Sequence, residues 1–199
     1  DEIKAACDAC DPVLVSLGNP RLPARLLPSP HLFDHVIARV DLGGTNIVYA
    51  LTDFNAKVLY RLKMPTMAME GCDKVLGRMA EGVLRVLQES GTPASAVKAV
   101  GVGVPGPIDS KKGLVYSAPN LPGFKNAQVK AVMEKKTGLP VFIENDANAA
   151  AFGELWAGAG KGVKEMIMLT LGTGVGGGII IDGKLYSGMD DTAGELGHM

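Results

Sequence analysis

Two stretches of this chain are built alike: an apolar strand, a short break of glycine and threonine, and a second apolar strand. The first is "VDLGGTNIVYALTD", residues 40–53. The second reads as a strand in "EMIMLTL", a glycine loop in "GTGVGGG", and a strand with an Asp-Gly turn in "IIIDGKLYSG". A break this short sends the second strand back antiparallel beside the first. Each stretch therefore commits its surroundings to a sheet. The recurrence predicts an approximate internal repeat whose second copy is cut short.

From residue 36 the pattern is regular. "HVIARVDL", "NIVYALTD" and "VLYRLKMP" read as three strands in an antiparallel meander. Residues 71–90 place Val75, Met79, Val83, Leu84, Val86 and Leu87 at helical spacing, and Gly91-Thr92-Pro93 ends the run. "VKAVGVGVPG" reads as a buried strand, 126–136 as a helix that stops at Gly138, "LPVFIEND" as a strand and "DANAAAFGELWAG" as a helix. The order β-β-β-α-β-α-β-α predicts an α/β fold with a mixed sheet and helices on its faces. The expected division is a proline-rich extension over 1–35, a first domain over 36–158 and the start of a second, similar domain over 159–199. Prolines at 12, 20, 23, 28 and 30 bar a long helix or central strand from most of the extension. Cys7 and Cys10 read as incidental, because no second pair completes a structural zinc site.

Composition narrows the partners. The net charge is −1 and there is no basic block, so no nucleic-acid partner is expected. No apolar run approaches the roughly 20 residues of a membrane span, and the acidic opening "DEIKAACDAC" does not resemble a signal peptide. Three cysteines make no disulfide framework, so a reducing cytoplasm is the expected compartment. Glycine, 26 of 199 residues, gathers between strands, where bare backbone can line a site.

Two stretches match G-x-G-x-x-G, Gly101 to Gly106 and Gly172 to Gly177. A dinucleotide fingerprint must open a helix whose amino end meets the pyrophosphate. The residues that follow are Pro107-Ile-Asp-Ser and Gly178-Ile-Ile-Ile, and neither opens one. The loops at the two strand breaks remain, Gly43-Gly44-Thr45 and Gly172-Thr173-Gly174. Glycines there suit tight turns with positive φ, or the close approach of backbone amides to phosphate. Asp41, at the end of a buried strand beside the first loop, suits magnesium held through water. At "END" one of Asn145 and Asp146 can cap the following helix. Asp146 can then face a cleft and take a proton from a substrate hydroxyl, with Asn145 orienting that substrate. Glu195 and His198 are spaced as neighbours on a helical turn.

"DLGGTN", "GVGVPGPID", "SAPNLPGF", "ENDANAAAFGE", "LGTGVGGGI" and "AGELGH" together resemble, in order and spacing, the ROK family of sugar kinases and related repressors. That family lies within the actin-like ATPase superfamily, and the resemblance covers residues 36–199. It implies RNase H-like domains around a cleft and an ATP-dependent hexose kinase of the glucokinase kind. The alternatives are a non-catalytic sugar-sensing module and an N-acetylmannosamine or fructose kinase. By the same likeness Asp146 takes the catalytic-base position. Asn145, Asp146, Glu195 and His198 contact the sugar, with the Gly106 backbone beside it. Gly43, Gly44, Thr45, Asn46, Gly172, Thr173 and Gly174 hold the nucleotide phosphates, and Asp41 helps to place magnesium. The family's zinc site would use His198, but its cysteine cluster C-x-C-G-x-x-G-C is absent from these 199 residues. The expected partners are a small sugar and a nucleotide. The apolar strands of the second block predict association, a homo-oligomer being the simplest form.

Overall fold

The computed structural model describes residues 36–172 and 174–198, and the side chain of His198 is outside that set. Residues 1–35, with Cys7 and Cys10, also lie outside the described residues, as does Thr173. Strands β1 (Val36–Leu42), β2 (Asn46–Asp53) and β3 (Val58–Pro65) form the expected antiparallel meander. Helix α1 (Cys72–Ser90) leads to β4 (Val97–Val104), which runs parallel to β1. A small antiparallel sheet follows, made of β5 (Ile108–Asp109), β6 (Leu114–Ser117) and β7 (Lys125–Ala127). Helix α2 (Val129–Thr137) then precedes β8 (Val141–Asn145), parallel to β4, and α3 (Asp146–Ala157). The main sheet is mixed, in the order β3-β2-β1-β4-β8. Strands β9 (Met166–Leu171), β10 (Val175–Ile181) and β11 (Lys184–Leu185) form a third, antiparallel sheet.

Three expectations are corrected. The helix expected over 126–136 begins at Val129, because Lys125 and Ala127 pair with Ser117 and Val115 as a strand. The glycine loop expected over 172–178 is only the tip of a hairpin, since Val175 to Gly178 already pair with β9. Leu84 is 45% exposed, while Leu76 and Ala80 complete the buried stripe of α1 with Val75, Met79, Val83, Val86 and Leu87. Gly91, at φ 69, ends that helix by turning into the left-handed region, as Gly138 does at φ 70 for α2.

The two faces of the main sheet differ. Val36, Ala38, Val40 and Leu42 alternate onto one face and join Val100, Val102 and Val104 in the core beneath α1 and α2. The opposite face carries Arg39 and Asp41, in register with Gly101 and Gly103 of β4; Gly103 in turn lies opposite Glu144 of β8. The glycines leave room between these long polar side chains. Arg39 is buried, with Nε donating to Thr52 Oγ1 at 2.8 Å and its guanidinium 5.3 Å from the centre of the Trp156 ring of α3.

Helix α3 also packs on β9 and β10. A Cβ at Gly176 would sit 3.0 Å from the Cβ of Ala147, and one at Gly178 would sit 2.5 Å from the Cβ of Ala151. While Gly177 lies against Leu196, Gly176 and Gly178 therefore let an alanine-rich helix approach. That contact seats the third sheet beside the carboxyl ends of β1, β4 and β8.

Candidate active site

A cavity of about 590 Å³ opens where these elements meet. Ligands in sheets with parallel strands gather at the carboxyl ends of those strands, and Asp41, Pro105 and Asn145 mark those ends here. Gly43 and Gly44 line one side and Gly172 and Gly174 another, while Gly106, Asn145, Asp146 and Glu195 complete the wall. Residues spread from 41 to 195 thus share one cleft.

The junction of β8 and α3 sets the central side chain. Asn145, with extended backbone at φ −60 and ψ 142, is the helix N-cap. Its Oδ1 accepts from the N–H groups of Ala147 at 2.9 Å and Asn148 at 3.1 Å, and its Nδ2 donates to the Gly106 carbonyl at 3.2 Å. Asp146 lines the cavity, and its Oδ1 shares the Ala147 N–H with Asn145, at 2.8 Å. Asn145 itself keeps one Nδ2 hydrogen for a ligand, a narrower part than orienting a substrate with its whole amide.

The carboxyl of Asp146 is pushed above the ordinary carboxylate range, chiefly by desolvation; the Ala147 N–H opposes the shift and the Glu195 charge adds to it. Asp41 is raised too, first by burial and then by the Asp146 charge, against the pull of Arg61. A base held above its ordinary range binds a proton more readily, which suits general-base work.

Among the described residues, the glycine loops keep only some of their amides free of internal bonds. Gly43, Gly44 and Gly172 do not lie in the left-handed region, so the reading of these loops as turns with positive φ does not hold for those three. The N–H of Gly43 closes the hairpin onto the Asn46 carbonyl at 3.0 Å, and that of Gly172 reaches the Gly174 carbonyl at 3.0 Å. Those amides are already engaged. The N–H groups of Gly44, Thr45 and Gly174 have no acceptor among the described residues, and all three residues are exposed. The buried Thr66 braces the first loop: its Oγ1 donates to the Gly43 carbonyl at 2.6 Å and its N–H to the Thr45 carbonyl at 2.9 Å.

Thr45 and Asn46 do not line the cavity. Thr173 and the side chain of His198 lie outside the described residues; the His198 backbone belongs to a 3₁₀ turn, Leu196–His198. Sequence reasoning passed over Asn120, which lines the cavity beside Gly44; a Cβ on Gly44 would lie 3.2 Å from the Asn120 Cβ. It also passed over Glu144 and Asn148, both buried. Glu144 Oε1 accepts from the Asn145 N–H at 2.9 Å and from Asn148 Nδ2 at 3.0 Å, bracing the junction from behind. Their stretch "ENDANAAAFGE" was singled out, but burial behind a helix start leaves no mark on residue type.

The fit to ions can be judged from these groups. Among the described residues no three His, Cys, Asp or Glu side chains close into a metal site. The described residues therefore offer zinc no cluster. Magnesium needs only one or two carboxylates, with water and phosphate oxygens filling the rest of its shell. Asp41 lines the cavity together with Asp146, so a cation there would meet carboxylate oxygen.

The mixed sheet, the glycine-tipped hairpins and the cleft between them define an α/β protein of the actin-like ATPase fold, shared with ROK sugar kinases of solved structure. A ROK family model matches residues 37–199, and the chain belongs to the ROK family. It is 41% identical over 160 residues to the glucokinase of Thermotoga maritima, across 80% of this chain and 49% of that protein. It is 35% identical over 162 residues to a xylose repressor of Caldicellulosiruptor bescii, across 81% and 40%. The solved ROK family glucokinase from Streptomyces griseus, in complex with glucose and AMPPNP, matches with a TM-score of 0.71 and 37% identity, over 82% of this chain and 50% of that one. The chain spans about half the length of the curated relatives it matches.

Proposed function

We propose that this chain carries the sugar-binding and phosphate-gripping part of an ATP-dependent hexose kinase, with glucose as the leading substrate. The observation that carries the reading is the division of labour at the helix start: Asn145 caps, and Asp146 opens onto a cavity walled by both glycine loops. In this mechanism a sugar hydroxyl donates a hydrogen bond to the Asp146 carboxylate. As the hydroxyl oxygen bonds to the γ-phosphorus of ATP, its proton passes to Asp146 and the bond to the β-phosphate oxygen breaks. The remaining Asn145 hydrogen, the Gly106 backbone and Glu195 hold the sugar, with His198 as a further contact from the same turn. The amides of Gly44, Thr45 and Gly174 meet phosphate oxygens, and Asn46 and Thr173 flank them. Fixed donors around a transferring phosphoryl group supply much of the catalysis in such reactions. Magnesium would balance phosphate charge, with Asp41 holding it through water.

A coupled assay of the full-length protein with magnesium-ATP, run against glucose, N-acetylmannosamine and fructose, tests this. Turnover is expected on glucose above the other two. The similarity to a xylose repressor favours a second reading, a sugar-sensing module that binds sugar without transferring phosphate. Sugar binding with no turnover on any of the three would select it.

A further inference from the structure

We propose that Asp191 and Ser110 form a latch that sets the width of the sugar side of the cavity, making Asp191 a positioning residue. The inference rests on the hexose-kinase reading of the same site. Oδ2 of Asp191 accepts from both the N–H of Ser110 at 2.8 Å and its Oγ at 2.9 Å, joining residues 81 apart in the chain. Ser110 stands four residues from Gly106 and Asp191 three from Gly194, both of which line the cavity. Ser110 follows β5 on the segment that begins at Gly106, and Asp191 precedes Glu195.

The segment around Asp191 also bonds to itself and to its own sheet. The Tyr186 N–H bonds the Ile179 carbonyl, that of Ala193 the Ser187 carbonyl and that of Glu195 the Thr192 carbonyl. It rests on α3 by packing: Gly194 lies against Asn148 and the Gly177 carbonyl, too closely for a Cβ. Packing of that kind fixes how near the segment comes to α3. It does not fix how far the segment stands from Gly106, across the mouth. The latch spans that second direction.

The backbone at Asp191 is specialised for the task. It sits at φ 55, in the left-handed region that Asp and Asn tolerate better than most residues. From this bend the carboxylate reaches Ser110. Opposite it, Gly106 is fixed at φ 87 against the Ser117 carbonyl and holds Asn145 Nδ2 through its own carbonyl. The Gly106 segment is thus tied to β6 and to the start of α3, and the latch ties the Glu195 segment to it.

The test is a graded series in the full-length protein. Asp191→Asn keeps an acceptor and the tolerance for φ 55, and should bind glucose within about twofold of wild type. Ser110→Ala removes one of the two bonds and Asp191→Ala removes both. Losing hydrogen bonds to a charged group corresponds to a roughly tenfold weaker glucose affinity for Asp191→Ala, with Ser110→Ala between. Nucleotide affinity should stay within about twofold throughout, which a general loss of fold would not allow. Amide exchange at Ser110 should speed up in Asp191→Ala. Equal glucose affinity in wild type and Asp191→Ala would overturn the latch alone. Wild-type protein that binds no sugar would overturn the function reading, and the latch with it.

Discussion

At the site, neighbouring residues with similar chemistry take opposite tasks because of where the helix starts. Asn145 and Asp146 are both good caps by type. Asn145 is the N-cap and takes two helix N–H groups, while the carboxylate one residue later shares one of them and lines the cleft. Sequence shows that one of the pair can cap, but which one does is set by the phase of α3 on β8. Other parts of the site are less legible still. Arg39, Asp41 and Glu144 share one face because β1, β4 and β8 are in register, a fact about strands some 100 residues apart. The glycine loops, by contrast, stand out in the sequence because glycine is conspicuous there. Gly174 makes a sharp test of what they are for. A Cβ there would meet nothing within 4 Å. Gly174→Ala should leave thermal stability nearly unchanged, within about 0.5 kcal/mol as for other surface changes. If phosphate approaches its amide, the same methyl should raise the nucleotide KM by about tenfold, equivalent to about 1.4 kcal/mol. Unchanged stability with unchanged nucleotide KM would make this loop a turn and nothing more.

Among the elements, the long periodic ones are the most legible. All eight residues of β2 and of β3 fall where alternation and short connections put them. Helix α1 follows from its apolar stripe over 19 residues. Strands β5 and β11 have two residues each and β7 has three, too short for any period to show, and they exist by pairing with neighbours. The β10 glycines misled for a different reason: a glycine run in sequence looks the same whether it makes a loop or lets a helix approach. Two glycines inside α1 show how much context decides. A Cβ at Gly77 would meet nothing within 4 Å, whereas one at Gly82 would run into the Tyr49 ring, whose hydroxyl donates to the Arg78 carbonyl at 2.9 Å. Gly77→Ala should stabilise the protein by about 0.5–1 kcal/mol through helix propensity. Gly82→Ala should instead destabilise it by about 1–3 kcal/mol, the cost of overpacking. Chemical denaturation of the two variants beside wild type checks the opposite signs.

Over the whole molecule, the two sheets are unequally covered. The main sheet is packed between α1 and α2 on one face and α3 on the other. In the third sheet, Ile180 is buried toward α3, while Ile167, Leu169 and Leu171 stand 68%, 58% and 82% exposed. The expectation that the second block leaves apolar side chains uncovered therefore holds for Ile167, Leu169 and Leu171 of β9 and Ile181 of β10, but not for Ile180. Such a patch drives association. The 199-residue chain alone should self-associate and bind a hydrophobic dye, and Leu169→Lys should reduce both; sedimentation showing a monomer at all concentrations would contradict this. Among the described residues no helix is long and apolar enough to cross a membrane. The central claim concerns the cleft between the sheets, where a single carboxylate is asked to take a proton from a bound sugar. The direct measurement is turnover and glucose affinity of the full-length protein with Asp146→Asn. The account predicts a fall in kcat of about 100- to 10,000-fold, typical of a lost general base, with glucose affinity close to wild type. A variant that keeps more than about a tenth of wild-type kcat would contradict it, since loss of a base costs far more than that.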